Sequence, residues 1–534
     1  KKQTMKKKLF KTRLLSFAVF CGLTLAFASC TNEDVAQNPN NTDNDKNLTT
    51  FTAGDPSTRT SMESDGKFFW EAGDKIWVKD DDGTWQQSSN APTAKTASFK
   101  FRVPGKFTQS STYKVYYPGK NGNQDKVTIS ASQSQSAPNT TAHFGTSGDC
   151  GMANASKQSN GSFAFALDHK AAYLLLLPRT SNTILHDCYL TKVEVNSDDD
   201  ITSTYTLDPI TSKLTGTGTG KQITVTTKGS TSSTYQNGFP LTNNATSAAT
   251  NGTYVVIKPG THTLKIRYWV KDVATGIEGT ITKTLASATY DQNKYYNITA
   301  NLNIKDYDGD HYYMWDAQEQ YWKGFEWTKN LPAGVGQPTL RQGVTGATTS
   351  SNYAQSNADL RYYHVKSGSG RFDATQSCAG LPNANEMSWY CMYGDPRWDK
   401  DELWTTMGHL YKGGMWFKKK SVLQAEGHYN TEFSTDGSTD LRTTYKIYNN
   451  SSSSINNSGL PSAADAGNYF YLPALGYYNS GQLESVGTDG YYWSSSAGLI
   501  YSSSAYSLYF SSSNVVVSSS TGIYNYGFRV GGFE

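Results

Sequence analysis

The sequence predicts a mainly β chain of several bodies with an α+β region at its C-terminal end. Three observations predict this. The chain has 534 residues, more than one domain ordinarily holds. It carries 36 Tyr within an aromatic share of 13%, and tyrosine and threonine favour pleated, half-buried surfaces. Short runs such as "KIWVKD", "STYKVYYP", "KQITVTT" and "TYVVIKP" recur between Gly, Asn, Ser and Asp clusters, without helical periodicity between them. The formal net charge is only +3 and no basic stripe is present, so the composition argues against a nucleic-acid partner.

The N-terminal end reads as a targeting segment. "KKQTMKKKLFKTR" is basic, with Met5 as the expected start, and "LLSFAVFCGLTLAFA" is apolar but shorter than a membrane span. It runs into "FASC", which resembles a bacterial lipobox. The resemblance implies a lipoprotein signal over 1–30, lipidation of Cys30 and anchoring in the outer membrane. Residues 31–50 are polar and Asn/Asp-rich and read as a flexible tether. Glu33-Asp34 within them resembles the surface-export signal of Bacteroides-type lipoproteins.

Of the six cysteines, the lipobox resemblance implies that Cys21 leaves with the signal and Cys30 takes the lipid. Cys150, Cys188, Cys378 and Cys391 remain, in a compartment where thiols can oxidise. Three pairings are open, of which Cys150–Cys188 with Cys378–Cys391 is the simplest. Free thiols are the alternative, because spacing alone does not set Cα geometry.

Residues 51–305 hold strand-like runs with no intervening helices, the pattern of β-sandwiches. The region is long for one sandwich, so two are expected, 51–228 and 229–305, with the break near "KGSTSSTYQNG". "GTGTGK" (216–221) lacks the spacing of a phosphate loop and reads as a hairpin turn. "TRTSM", "FFWEAGDKIWV", "YKVYYP", "FAFALDHKAAYLLLLP" and "YDQNKYYNITANLNI", in that order, resemble the fimbrillin-type pilins of Bacteroidia. The resemblance implies two transthyretin-like β-sandwiches and, as partners, other pilin subunits joined by strand exchange. An added strand would satisfy the open edge of an incomplete sheet. In that family a protease cuts after an arginine near the start, a position that Arg59 resembles.

Composition changes at "DYDGDHYYMWDAQEQYWKGFEW", and 306–340 is expected to be a linker. Asp306, Asp308 and Asp310 lack the glycine and glutamate positions of a calcium loop, so no metal is expected. In "LPNANEMSWYCMYG" (381–394) Asn383 and Glu386 form a capping-box pattern for a helix. Met387, Tyr390, Cys391 and Gly394 would share its buried face. "LYKGGMWFKKKS" (410–421) reads as two strands around Gly413-Gly414, its lysines on a solvated edge, and "NNSSSSINNSG" (449–459) as a loop.

Residues 341–534 resemble the C-type-lectin-like fold in its formylglycine-enzyme-related branch, on "LPNANEMSWY", "GYYWSSS" and "YGFRVGG". Within that branch they look most like the variable proteins of diversity-generating retroelements, in which adenine miscopying rewrites AAY-type codons. Lys, Glu, Gln, Met and Trp cannot be written that way, and none occurs in 494–528. That stretch has the Tyr, Ser, Gly and Asn composition of antibody paratopes. The expected ligand-binding residues are Leu499, Ile500, Tyr501, Ser502, Ser503, Tyr506, Ser507, Tyr509, Ser511, Val516, Ser519, Ile523, Tyr524 and Asn525. Trp493, Leu508, Phe510, Phe528 and Val530 are expected to pack inward, with Ser507 and Tyr509 outward by strand alternation.

The expected function is that of a surface adhesin or pilus-tip lipoprotein. Its ligand would be a protein or glycan on another cell, a phage or a host. The alternatives are a shaft pilin with an inert C-terminal domain and a formylglycine-type enzyme. No His-Glu-x-x-His or Gly-x-Ser-x-Gly occurs, the eight His are scattered, and no Cys follows Cys391. No catalytic activity and no cofactor are therefore expected.

Overall fold

A computed structural model describes residues 47–54, 61–62, 68–346, 348–368, 370–457, 460–500 and 502–534. Cys30, Arg59 and Tyr501, with the signal and most of the tether, lie outside the described residues. Leu48–Glu534 form one compact unit. No helix among the described residues is long and apolar enough to cross a membrane.

Alternation builds the first sheet. In Phe99–Pro104, Phe101 and Val103 are fully buried while Lys100 is exposed. Leu48–Ala53 lies between this strand, antiparallel, and Phe163–Phe165, parallel. Its Phe51 and Ala53 are fully buried in a core shared with Trp70, Phe101, Val115 and Phe163.

A second core takes over from Ala171 and runs to Ile304, joined by Tyr116, Val127, Phe144 and Met152. "AAYLLLLP" forms Ala172–Arg179, flanked by Thr253–Ile257, antiparallel, and Tyr295–Asn301, parallel. A central strand is covered on both faces, which explains an unbroken apolar run. The break expected at 228 falls inside this body. Val193 and Val195 lie opposite Tyr268 and Ile266 and share one core with them. "KGSTSSTYQNG" is a loop folded on itself, with Gly229 N donating to Tyr235 O (2.8 Å). Turn-rich composition marks a loop and need not mark a boundary. "GTGTGK" is no hairpin either: Lys213–Thr215 pairs with Thr204–Asp208, whereas Gln222–Thr226 pairs with Cys188–Ser197.

The four cysteines are free and buried, so neither expected bridge forms. Cys150 and Cys188 are core residues of the second body, and Cys378 and Cys391 sit in different cores of the third. Cys391 Sγ donates to Val515 O (3.3 Å), and Cys378 Sγ accepts from Asp316 N (3.3 Å). Burial pushes the thiols of Cys188 and Cys391 up to about 12, which keeps them protonated.

The third body begins at 306, and the segment expected as a linker is part of its core. Tyr312, Trp315, Tyr321 and Trp322 are fully buried. Tyr312–Tyr313 pairs with Phe528–Arg529 and so closes the body's first residues onto its last. Its six-stranded sheet runs Tyr312–Tyr313, Phe528–Arg529, Gly490–Ala497, Ala505–Phe510, Asn514–Ser518, Tyr448–Ser451. The helix Ala384–Tyr393 forms with the expected capping box, and Met387, Tyr390 and Cys391 are fully buried.

Residues 409–418 form one strand, not two. Gly413 and Gly414 lie inside it because neighbours approach closely. A Cβ on Gly414 would stand 2.5 Å from Leu472 O and from the Tyr471 ring. The following lysines each find a carboxylate: Lys418 with Glu426, Lys419 with Glu534 and Lys420 with Glu386. The neighbouring strand Arg397–Thr406 meets Glu278–Thr284 of the second body in parallel at Thr280 and Glu402, so one nine-stranded sheet spans both bodies.

Candidate binding face

The site is built on the hairpin Gly490–Ala497 and Ala505–Phe510, where Tyr491 stands opposite Tyr509 and Trp493 opposite Ser507. One face of these strands packs on the helix. Tyr492, Leu508, Phe510, Val515 and Val517 are at most 1% exposed there. Leu508 and Phe510 therefore point inward, as alternation requires.

The opposite face is also covered over half its length. Trp493 stacks on Phe528 at 4.3 Å and donates through Nε1 to Tyr313 O (2.7 Å). Trp315, Cys378, Ala497, Ala505 and Tyr524 complete this small second core. Gly522 permits the approach, since a Cβ there would stand 2.2 Å from Ala505 O.

Burial on one face or the other corrects four expected ligand residues. Tyr506, Ser507, Ser519 and Tyr524 are fully buried. Tyr524 stacks on Trp315 at 4.8 Å, and Ser507 Oγ lies 3.3 Å from Thr521 Oγ1. Tyr506 faces the helix side, where its hydroxyl donates to Lys446 O (3.3 Å). Val530, expected inward, is half-buried.

The remaining positions fall into two groups. At the tip, Ser502, Ser503 and Asn525 are exposed, Ile500 is 56% and Ile523 40% exposed, and Leu499 is half-buried. Hydrogen bonds draw these loops together: Gly498 N donates to Ser504 O (2.7 Å) and Tyr524 N to Ser503 O (2.9 Å). Lys366 Nζ donates to Gly498 O (3.0 Å), which ties a further segment to the base of the tip.

At the other end Tyr509, Ser511 and Val516 are half-buried. Register places Tyr491, Tyr509, Val516 and Asn449 in a row across four strands. Tyr477 extends it, 4.5 Å from the Tyr491 ring, and Tyr526 lies 5.3 Å from Tyr477. Tyr477, Tyr491, Tyr526 and Asn449 were missed by sequence reasoning. The period-2 pattern of "GYYWSSS" signals that Tyr491 shares a face with Trp493, but only the strand register reveals its neighbours.

Tyr477 donates to Glu484 Oε2 (2.9 Å). Burial raises the phenols of Tyr477, Tyr491 and Tyr509, so all three remain neutral hydrogen-bonding groups. Burial also raises the Asp489 carboxyl, against hydrogen bonds from Ser485, Thr488 and Tyr509. The face thus offers flat aromatic surface with hydroxyl and amide groups, suited to binding by contact area and adaptable hydrogen bonds.

Of the acidic triplet, Asp306 accepts from Thr405 Oγ1 (2.8 Å). Asp308, Asp310 and His311 bring ligand atoms within 4.8 Å of one another, with Asp310 already bonded to His311.

No family model matches the chain, and no curated protein does either. Several solved structures are similar to it. A candidate cell adhesion protein from Bacteroides ovatus is 14% identical over 48% of this chain and 91% of its own, with a TM-score of 0.29. One from Bacteroides uniformis is 17% identical over 48% and 92%, with a TM-score of 0.26. A fimbrial protein from Bacteroides ovatus is 10% identical over 90% and 99%, with a TM-score of 0.25.

Proposed function

We propose that the chain is a cell-surface adhesin of fimbrillin type, its C-terminal body a C-type-lectin-like head that presents a diversified ligand-binding face. The observation that carries the reading is the division of 494–528 into a fully buried scaffold and an exposed, uncharged tip, with Tyr509 and Val516 in an aromatic row beyond it. A two-sided core holds the tip in place, so exposed residues can change without loss of the fold. Cys30 anchors the uncut chain in the outer membrane, and the ligand is a protein or glycan on another surface.

The test is binding by the full-length chain to a glycan array and to intact bacterial and host cells. Variants Ile500→Asp with Ile523→Asp, and Tyr491→Ser with Tyr509→Ser, are compared with the parent. Loss of a captured partner with an unchanged melt supports the reading. Equal capture by both variants, or capture of nothing by the parent, overturns it.

The position of Leu48–Ala53 supports strand exchange with other pilin subunits. It sits between Phe99–Pro104 and Phe163–Phe165 with Phe51 and Ala53 inward, so its removal would open a groove lined by Phe101, Val103 and Phe163. Cleavage at Arg59 would release the segment that contains it. A chain cut there should join a second subunit through an added strand, and failure to do so would overturn the assembly reading.

A further inference from the structure

Between the second and third bodies lies a cavity of about 240 Å³, apart from the binding face. Lys265, Thr282 and Thr284 line it from the second body; Trp416, Lys419 and Tyr469 are among the residues facing them from the third. Among the described residues, two lysines and no carboxylate line it.

Lys265 is the unusual member. It is 5% exposed, and its ammonium donates to Pro461 O. Among the described residues no carboxylate pairs with it, although Arg267 beside it has Asp399. A buried ammonium whose carboxylates, Asp399 and Glu194, act on it only from beyond ion-pair distance is costly. Burial, with Arg267 and Arg397 as further causes, pulls its pKa down to about 8, against the opposing charges of Asp399 and Glu194. Lys419 adds a second cation, itself shared with Glu534 at 3.6 Å.

The other walls are of a different kind. Trp416, half-buried, and Tyr469, 8% exposed, line it with aromatic side chains, the kind of surface on which the apolar face of a sugar rests. Thr284 lies directly opposite Lys265 in the strand pair and is exposed. The volume is below the range of about 300–1,000 Å³ typical of drug-sized ligands, so the occupant would be about the size of one sugar ring.

We infer that this seam binds an acidic monosaccharide unit of the hexuronate class, its carboxylate on the Lys265 ammonium and its ring against Trp416 and Tyr469. The inference is independent of the binding-face proposal, since no residue is shared.

The test is calorimetric titration of the full-length chain with sodium D-glucuronate, with methyl D-glucoside and sodium acetate as controls. Glucuronate should bind and neither control should match it. Lys265→Met keeps the stem and removes the charge; it should weaken glucuronate at least about tenfold, the effect of a lost charge-assisted hydrogen bond, without lowering the melting temperature. Gly467→Trp is a second variant. Gly467 lines the cavity and a Cβ there meets nothing within 4 Å, so the substitution should add bulk at the cavity wall without disturbing the fold. Absence of glucuronate binding, equal binding of the glucoside or acetate, or unchanged binding in either folded variant would overturn the assignment.

Discussion

Arg267 of the second body and Asp399 of the third form an ion pair, Nη2 to Oδ1 at 3.1 Å, with side chains 10% and 3% exposed. Asp399 also accepts from Trp416 Nε1 (3.1 Å), and Arg267 donates to Thr280 Oγ1 (2.6 Å). The pair lies where the nine-stranded sheet passes between bodies. Arg267→Met should cost about 3–5 kcal/mol, because it leaves a buried carboxylate without its cation. Adding Asp399→Asn should recover part of that loss. Chemical denaturation of the single and double variants measures both effects.

Glu402 at the same seam accepts from Thr282 N (3.0 Å), Thr282 Oγ1 (2.7 Å) and Thr280 Oγ1 (3.0 Å). Burial raises its carboxyl from 4.5 to about 7, Asp399 adds to the rise, and Thr282 and Arg267 oppose it. The folded chain then holds this proton more tightly than the unfolded chain. Glu402's contribution to stability is full below about pH 4.5 and is lost as pH rises through about 7. Glu402→Gln should flatten stability across that window, read from melting temperatures at a series of pH values. An unchanged profile would contradict the assignment.

Truncation in 494–528 should separate the buried positions from the exposed ones. Tyr524→Ala and Tyr506→Ala should each cost about 3–5 kcal/mol, the range for removing a buried aromatic ring. Ile500→Ser, Ile523→Ser and Asn525→Ser should each stay within about 0.5 kcal/mol, as surface sites do. Equilibrium unfolding of the full-length chain distinguishes the two sets.

The four cysteines downstream of Cys30 should behave as free thiols. Alkylation after denaturation without reductant should label all four, and reductant should leave the melting temperature unchanged. A mass shortfall of two labels would place a bridge where the structure has none.

Local order was legible in the sequence. The capping box at Asn383 and Glu386 needs only residues three apart, and the structure forms it. Period-2 alternation correctly turned Leu508 and Phe510 inward, because a strand's two faces are defined by the backbone itself. Which faces are covered is a property of layers that meet from far along the chain. Ser507 and Tyr524 are buried because Trp315, some 200 residues upstream, helps to close a second core over the sheet. The same non-local packing drew 306–340 into the third body and left Cys378 and Cys391 in separate cores. It also aligned Tyr477, Tyr491 and Tyr509 into one row. Composition named the amino acids suited to a binding face. Their distribution between core and surface was decided only by the tertiary structure, because burial depends on what packs against a side chain as well as on the side chain itself.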